Sequence, residues 1–197
     1  MNPDITCEQY AQPFAFLGNS LLDTMRHTGQ AGLDPAFWAA FPDVGDESVG
    51  AALDALFAWS QDAQARQKDG EDVLTEVCVE YTRLFVGPPS PAVAPWETFY
   101  RAKRCNEGFG EATFAMRDEL RKAGLEVKNE NNQYADHMGL ELLLLSELCL
   151  RGERTAADAF AGERPGSWCK EFAAALDKEC PGGYYALLAE LICALLG

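Results

Sequence analysis

The spacing of the apolar residues limits most strongly what this chain can form. Along almost all of the 197 residues, apolar side chains return with a helical period, and strand-like alternation is scarce. Glycine and proline separate the periodic segments, as at Gly29, Gly70 and the pair Gly87 and Pro88. This pattern predicts an all-α fold in which residues 1–197 form a single compact helical bundle with one long proline-rich loop.

The predicted helices follow one another with short polar gaps. Asp34 is expected to cap a short helix, Ser167 to cap a later one and Asn132 to cap the most apolar one. The segments with this helical spacing of apolar residues run from Tyr10 to Met25, within 34–41, from Val49 to Phe57, from Leu74 to Phe85, over about 109–123, over about 134–151, from Trp168 to Leu176 and from Tyr185 to Leu195.

Two segments interrupt the helical pattern, over residues 86–107 and 124–133. Loops longer than about 12–15 residues are uncommon in compact domains unless they carry a function. The first contains four of the ten prolines, at positions 88, 89, 91 and 95, flanked by aromatic residues within LFVGPPSPAVAPWETFY. Its rings either complete the core or face a groove, held there by a backbone that proline restricts.

Charge narrows the classes of partner. The chain has 31 acidic against 16 basic residues, a net charge of −15 and a pI near 4.4. Such a surface repels nucleic acid, whose binding depends on lysine and arginine. It attracts a cationic partner or simply keeps the protein in solution, and the charge alone leaves both alternatives open.

The cysteines and the apolar runs indicate a cytoplasmic location. The seven cysteines are odd in number and lack the spacing of a zinc site or a Cys-x-x-Cys motif. We therefore expect free thiols in a reducing compartment. No secretory signal is visible in the first residues, and no apolar run reaches the roughly 18 residues of a membrane helix. We expect no stable membrane insertion.

The segment NQYADHMGLELLLLSEL, residues 132–148, contains most of the candidate chemistry. Asp136 lies where a helix would begin, and the helix dipole favours a carboxylate there. His137 and Glu141 are four residues apart and would share a face. From these residues alone, a metal site and a hydrolytic site with a cysteine are both open, although each needs a further group.

Three motifs in order resemble the TorD/DmsD/NarJ family of cytoplasmic chaperones for molybdenum-containing redox enzymes. They are EYTRLFVGP, PWETFYR and DHMGLELLLLSEL, followed by WCKEF and YYALLAEL, and the resemblance covers residue 72 to the end. One departure stands out. The family usually reads Asn-Glu-Pro before x-Asp-His, whereas this chain has Gln133 and Tyr134 in place of the acid and the proline.

The resemblance implies an all-α protein without catalytic activity or cofactor. It implies a chaperone that binds the twin-arginine signal peptide and the apo-form of its client, as a monomer or a helix-swapped dimer. Alternatives are an assembly adaptor for a leaderless subunit, as in the NarJ branch, and a metal-binding or hydrolytic protein. Carried over by motif, the signal-peptide-binding residues would be Tyr81, Leu84, Phe85, Gly87, Pro88, Pro95, Trp96, Glu97, Tyr100, Asp136, His137 and Glu141.

The chemistry of these residue types fits such a peptide. Aromatic faces accept apolar side chains and stack on guanidinium groups, at about 0.5–2 kcal/mol for each cation–π contact. Carboxylates such as Glu97, Asp136 and Glu141 can accept an arginine through two hydrogen bonds. We therefore expect the acidic residues to bind the arginines of the leader and the rings to bind its apolar part.

Overall fold

The computed structural model describes residues 1–2, 4–42, 44, 46–101, 109–126 and 133–197, and most of these are helical. The helices are α1 Cys7–Leu22, α2 Met25–Thr28, α3 Pro35–Ala39, α4 Glu47–Lys68, α5 Val73–Tyr81, α6 Glu97–Arg101, α7 Glu111–Lys122, α8 Met138–Leu150, α9 Arg154–Glu163, α10 Cys169–Glu179 and α11 Tyr184–Leu196. Within the described ranges no strand is present beyond one isolated bridge between Trp96 and His137. The predicted all-α class is confirmed.

Several helix starts differ from the sequence prediction. Asp34 caps α3 as expected, since its carboxylate accepts from the Ala36 N–H at 2.9 Å. Ser167 instead ends a 3₁₀ turn, and α10 begins after Trp168 without a side-chain cap. The expected Asn132 cap lies outside the described residues. His137 occupies the N-cap position of α8, so that helix begins later than the predicted 134.

Helices α1 and α8 pack backbone to backbone at two glycines. A Cβ atom on Gly18 would lie 2.8 Å from the Gly139 carbonyl oxygen, and one on Gly139 would lie 2.7 Å from that of Gly18. Any larger residue at either position would push the helices apart. This close contact fixes the N-terminal end of α8, where the candidate site begins.

The first part of the proline-rich loop folds back on the helix before it. After α5 the chain forms one π-helical turn, Thr82–Val86, and ends at Gly87 with φ of 88°. The Val93 N–H then donates to the Leu84 carbonyl at 2.9 Å. Val93 is buried by this return. The loop therefore has a defined path that delivers Pro95 and the residues after it to the start of α8.

Candidate functional site

The second and third sequence motifs meet through the backbone. The Glu97 N–H donates to the Asp136 carbonyl, and the Met138 N–H donates to the Pro95 carbonyl, both at 2.9 Å. These bonds make the antiparallel bridge between Trp96 and His137. We call residues 95–101 together with 136–141 the motif junction. Residues that are about forty positions apart in sequence thus form one local unit.

Asp136 holds the motif junction together from inside. Its Oδ2 accepts from the Thr98 N–H at 3.0 Å and from the Thr98 hydroxyl at 2.6 Å. Its Oδ1 accepts from the Thr113 hydroxyl at 2.8 Å. The carboxylate is completely buried. Asp136 therefore caps α6 and ties it to α7, and in this conformation both of its oxygens already have internal donors.

His137 is buried and neutral. Its Nδ1 accepts from the Gly139 N–H at 3.0 Å, which places the ring proton on Nε2. Burial lowers the pKa of the imidazole to about 3. The Nε2 atom has no hydrogen-bond partner in the described part of the chain. A buried donor of this kind is ready to bind an acceptor that reaches it.

Glu141 lies one helical turn further and is also fully buried. Its Oε2 accepts from the Trp168 indole N–H at 3.0 Å, and its Oε1 has no partner among the described residues. Burial, with the nearby charge of Glu97, raises the pKa of the Glu141 carboxyl well above its ordinary value. Both effects favour the protonated form of the carboxyl, which can donate as well as accept.

Glu97 is the carboxylate of the motif junction that faces arginine. Its Oε1 lies 2.6 Å from Nη1 of Arg101, one turn along α6, and its Oε2 lies 3.4 Å from Nη1 of Arg164. The Glu97 side chain is only 1% exposed, whereas Arg101 is 48% exposed. A cavity of about 350 Å³ opens beside this group and is lined by Glu97, Thr98, Arg101, Glu111, Ala112, Ala115 and Arg164.

The predicted residues of the first motif lie in the core. Phe85 packs against Tyr81, Tyr185 and Phe172, with ring centroids 5.2, 5.3 and 6.3 Å away. Leu84 is fully buried. The Tyr81 hydroxyl donates to the Leu21 carbonyl at 3.3 Å. Gly87 and Pro88, by contrast, lie towards the surface.

Buried polar atoms without a partner concentrate at the motif junction. Two half-buried rings contribute there, since Tyr100 stacks on Trp168 at 5.2 Å and Trp96 contacts Tyr134 at 5.6 Å. Across the described ranges, the buried side-chain N and O atoms that lack a partner are Trp96 Nε1, Tyr100 OH, Gln133 Oε1, His137 Nε2, Glu141 Oε1 and Tyr185 OH. Four of these six belong to predicted site residues. Native proteins leave few such atoms, so this clustering needs an explanation.

A row of exposed rings beside Trp96 was not predicted. Tyr134 contacts Phe109 at 5.5 Å, and Phe109 contacts Phe114 at 5.1 Å. The Arg117 guanidinium lies over the last two rings at 5.8 and 5.9 Å. Phe114 is 54% exposed. The sequence contained one indication of this row, because Phe114 does not lie on the face of α7 that packs against the core.

The metal-binding alternative lacks a cluster of ligands in the described ranges. Those ranges hold no group of three or more histidine, cysteine or acidic residues arranged to bind a metal ion. Asp136 and His137 instead bond to neighbouring backbone and hydroxyl groups. Among the same residues, no helix combines the length and apolar composition needed to span a bilayer.

Comparison with known proteins identifies the family. The model of the nitrate reductase delta subunit family matches residues 43–174. "Chaperone protein TorD" of Shewanella pealeana is 26% identical over 162 residues, which cover 79% of this chain and 70% of that protein. The "Tat proofreading chaperone DmsD" of Salmonella typhi is 26% identical over 111 residues. The "Probable Tat proofreading chaperone DmsD" of Haemophilus influenzae is 29% identical over 112 residues.

These alignments differ in extent, but they agree on the family. Each DmsD match spans about half of that relative, or 54% of its length. The family model covers more than half of this chain and includes all of the predicted site residues. The resemblance predicted from the three motifs is therefore confirmed, and this chain belongs to the nitrate reductase delta subunit family, which includes the TorD and NarJ proteins.

Proposed function

We propose that this protein is a system-specific chaperone that binds the twin-arginine signal peptide and the apo-form of a molybdenum-cofactor redox enzyme. It would assist maturation of that enzyme before export, and it would act in the cytoplasm. Relatives named as TorD chaperones and Tat proofreading chaperones support this function. The proposal includes a monomer or helix-swapped dimer, which light scattering of the purified protein distinguishes.

One observation carries the choice of site. Unpaired polar atoms of Trp96, Tyr100, His137 and Glu141 collect in one small region, where two sequence motifs meet. A folded protein loses about 1–3 kcal/mol for each buried polar group without a partner. A bound peptide offers both carbonyl acceptors and N–H donors. It would recover part of that free energy by satisfying these atoms.

Glu97 would bind an arginine of the leader in place of an internal arginine. In the free protein, Arg101 and Arg164 both approach its carboxylate. Arg101 is half exposed and lies beside the cavity of the motif junction, so its side chain can leave without unfolding α6. An arginine of the leader would then replace it on the same carboxylate. The exposed rings next to Trp96 would contact the apolar part of the leader.

The test is calorimetric titration of the protein with a synthetic twin-arginine leader. Trp96→Ala should weaken binding several-fold or more, because it removes a ring at the centre of the site. Arg101→Gln should strengthen binding by up to about 1 kcal/mol, since the nearer of the two internal competitors for Glu97 is gone. Arg121→Gln is the matched control, because Arg121 is 77% exposed and, among the described residues, its ion pair is with Asp118 three positions away.

The outcomes separate the parts of the proposal. Unchanged affinity in both Trp96→Ala and Arg101→Gln would show that the motif junction does not bind the leader. Weaker binding in Arg101→Gln would mean that Arg101 contacts the peptide and does not compete with it. No binding by the wild type, together with capture of a client subunit that lacks a leader, would contradict signal-peptide recognition altogether.

A further inference from the structure

A second cavity lies next to the one beside Glu97. It has a volume of about 290 Å³ and is lined by residues of α7, α8 and α9. Arg164 lines both cavities, and α7 contributes Ala115 to the first and Glu119 to the second. We call the second one the α7–α9 cavity. It is continuous with the proposed binding site, and the function proposed above does not yet use it.

The α7–α9 cavity has an apolar floor and an acidic rim. The floor consists of three buried apolar side chains, Leu144, Leu148 and Phe160. The rim includes three acids, Glu119, Glu153 and Glu163. A long cationic side chain suits such surroundings, because its apolar stem can lie on apolar surface while its charged end meets a carboxylate.

The acids of the rim are only partly neutralised within the protein. Glu119 pairs with Lys122 at 2.8 Å. In the part of the chain that the structure describes, the carboxylates of Glu153 and Glu163 have no ion-pair partner. The other basic residue of the lining is Arg164, which already approaches the carboxylate of the motif junction. The cavity therefore offers carboxylates to a cationic guest.

The neighbouring cavity shows how this region binds a guanidinium group. Nη1 of Arg101 lies 2.6 Å from Oε1 of Glu97, 3.0 Å from the carbonyl oxygen of Glu163 and 3.2 Å from the hydroxyl of Ser167. Glu163 is the last residue of α9, and that end of a helix favours positive charge. Glu163 thus binds Arg101 through its carbonyl and also lines the α7–α9 cavity.

The size and position of the α7–α9 cavity fit one side chain of an extended peptide. A volume of about 290 Å³ has room for about ten water molecules at about 30 Å³ each, which exceeds what one arginine side chain needs. Neighbouring residues of an extended peptide are about 3.8 Å apart, and their side chains point in opposite directions. A peptide that crosses Arg164 can therefore place two consecutive side chains in the two cavities.

We propose that the α7–α9 cavity binds one of the two adjacent arginines of the leader, while the other binds Glu97 in place of Arg101. This inference rests on the function proposed above, because it takes the twin-arginine leader as the ligand. The stem of the arginine lies on Leu148 and Phe160, and its guanidinium group binds Glu163. Arg164 stays between the two cavities, so each arginine of the pair has a carboxylate of its own.

The experiment is calorimetric titration of the full-length protein with the leader and with two leader variants, in each of which one arginine is replaced by glutamine. Glu163→Gln should weaken binding of the unchanged leader about two- to fivefold, as expected for one partly exposed ion pair. It should have almost no effect on one of the two leader variants, because that peptide lacks the arginine that Glu163 binds. Glu171→Gln is the matched control, since Glu171 is an exposed acid of α10 outside the lining of both cavities.

A second protein variant tests the cavity itself. Ala159→Leu fills the cavity from an exposed position on α9, so the protein should fold normally and bind the leader more weakly than Glu163→Gln does. Thr155→Leu is the control, because Thr155 is exposed on the same helix and is not part of the lining. Circular dichroism checks that both variants fold.

The outcomes separate this inference from the proposed function. Normal affinity in Glu163→Gln and Ala159→Leu, together with weak binding in Trp96→Ala, would overturn the second arginine site and leave leader binding in place. An equal effect of Glu163→Gln on all three leaders would also overturn it, because the carboxylate would then act only through net charge. Weak binding in Ala159→Leu but normal binding in Glu163→Gln would assign the cavity to an apolar residue of the leader. No binding by the wild type would overturn both proposals.

Discussion

The two halves of the predicted binding site are built in opposite ways. The first motif places Tyr81, Leu84 and Phe85 in a closed cluster of rings, where they meet Tyr185 from α11. The motif junction brings together acids, half-buried rings and polar atoms that have no partner in the described chain. Packing in the core is enough to explain the residues of the first motif. It does not explain the unpaired polar atoms of the motif junction, which the fold does not require.

This difference separates stability from recognition. Burial of an aromatic side chain stabilises the folded state by about 1.5–3 kcal/mol. A buried polar atom without a partner destabilises it by about 1–3 kcal/mol. The first motif therefore stabilises the folded state, whereas the unpaired polar atoms of the motif junction destabilise it. We expect substitutions in the two halves to affect stability and binding in different proportions.

The largest effect should come from the aromatic half. Phe85→Ala removes a ring that contacts Tyr81, Phe172 and Tyr185 and leaves a cavity, so the free energy of unfolding should fall by about 3–5 kcal/mol. Urea unfolding followed by circular dichroism measures this. Val86→Ala is the control, because Val86 is 55% exposed in the same helical turn and should change stability by less than about 0.5 kcal/mol.

A small effect of Phe85→Ala on stability, combined with a large loss of leader affinity, would contradict the conclusion that the first motif serves stability. It would mean that the ring faces the peptide in solution and that the first motif belongs to recognition. A large loss of stability with normal affinity in the surviving folded fraction would sharpen the comparison. The two measurements must therefore be made on the same preparation.

A smaller loss of stability is expected from the acid that holds the motif junction together. Asp136→Asn keeps the shape of the side chain but removes the charge that accepts from Thr98 and Thr113. Hydrogen bonds to a charged group contribute about 1.5–3 kcal/mol, so we expect a loss near 2 kcal/mol. Asp118→Asn is the matched control, since Asp118 is 60% exposed in a local surface pair.

The effect of Asp136→Asn on leader binding shows whether Asp136 contacts the leader in addition to capping α6. If its role is structural, Asp136→Asn should weaken binding only as far as it perturbs α6, and the pattern of tryptophan fluorescence should change with it. Strong loss of affinity with unchanged stability would instead show that the carboxylate reaches the leader directly. That result would require the internal bonds of Asp136 to open on binding.

Helical spacing predicted the fold but not the direction in which the site residues face. It correctly predicted that apolar stripes form helices and that Gly87 ends one of them. It placed His137 and Glu141 on one face of a helix, yet His137 is the cap of α8 and not part of it. The reason is the backbone bridge to Trp96, a contact between distant segments that no local pattern contains.

The partners of the acids were also hidden from the sequence. Glu97 and Arg101 are four residues apart, so their pairing could have been predicted once α6 was recognised as a helix. Arg164 approaches Glu97 from a different part of the chain, and Trp168 reaches Glu141 from the start of α10. Tertiary packing alone brings them together. The sequence therefore predicted the acids of this site but not the Arg164 and Trp168 side chains that contact them inside the protein.

The pH dependence of Glu141 is the most specific to the motif junction, and at any single step of pH it is the smallest of these effects, at most about 1.4 kcal/mol per pH unit. Its pKa is raised in the folded protein, so folding takes up a proton at any pH between the ordinary carboxyl value of about 4.3 and the raised value. Stability from this group is complete below that range and decreases as the pH rises through it. Glutamine cannot ionise, so Glu141→Gln should remove this decrease.

The measurement is urea unfolding of wild type and Glu141→Gln between about pH 5 and pH 8. The two proteins should differ least at pH 5, because that end of the range is nearest to the pH at which the carboxyl is protonated in the folded and the unfolded chain alike, and glutamine resembles the protonated acid in shape. The difference should grow with pH by at most about 1.4 kcal/mol per unit, in favour of the variant. Parallel curves would mean that Glu141 is ionised when folded, and the motif junction would then hold a charge as buried as the rings of the first motif.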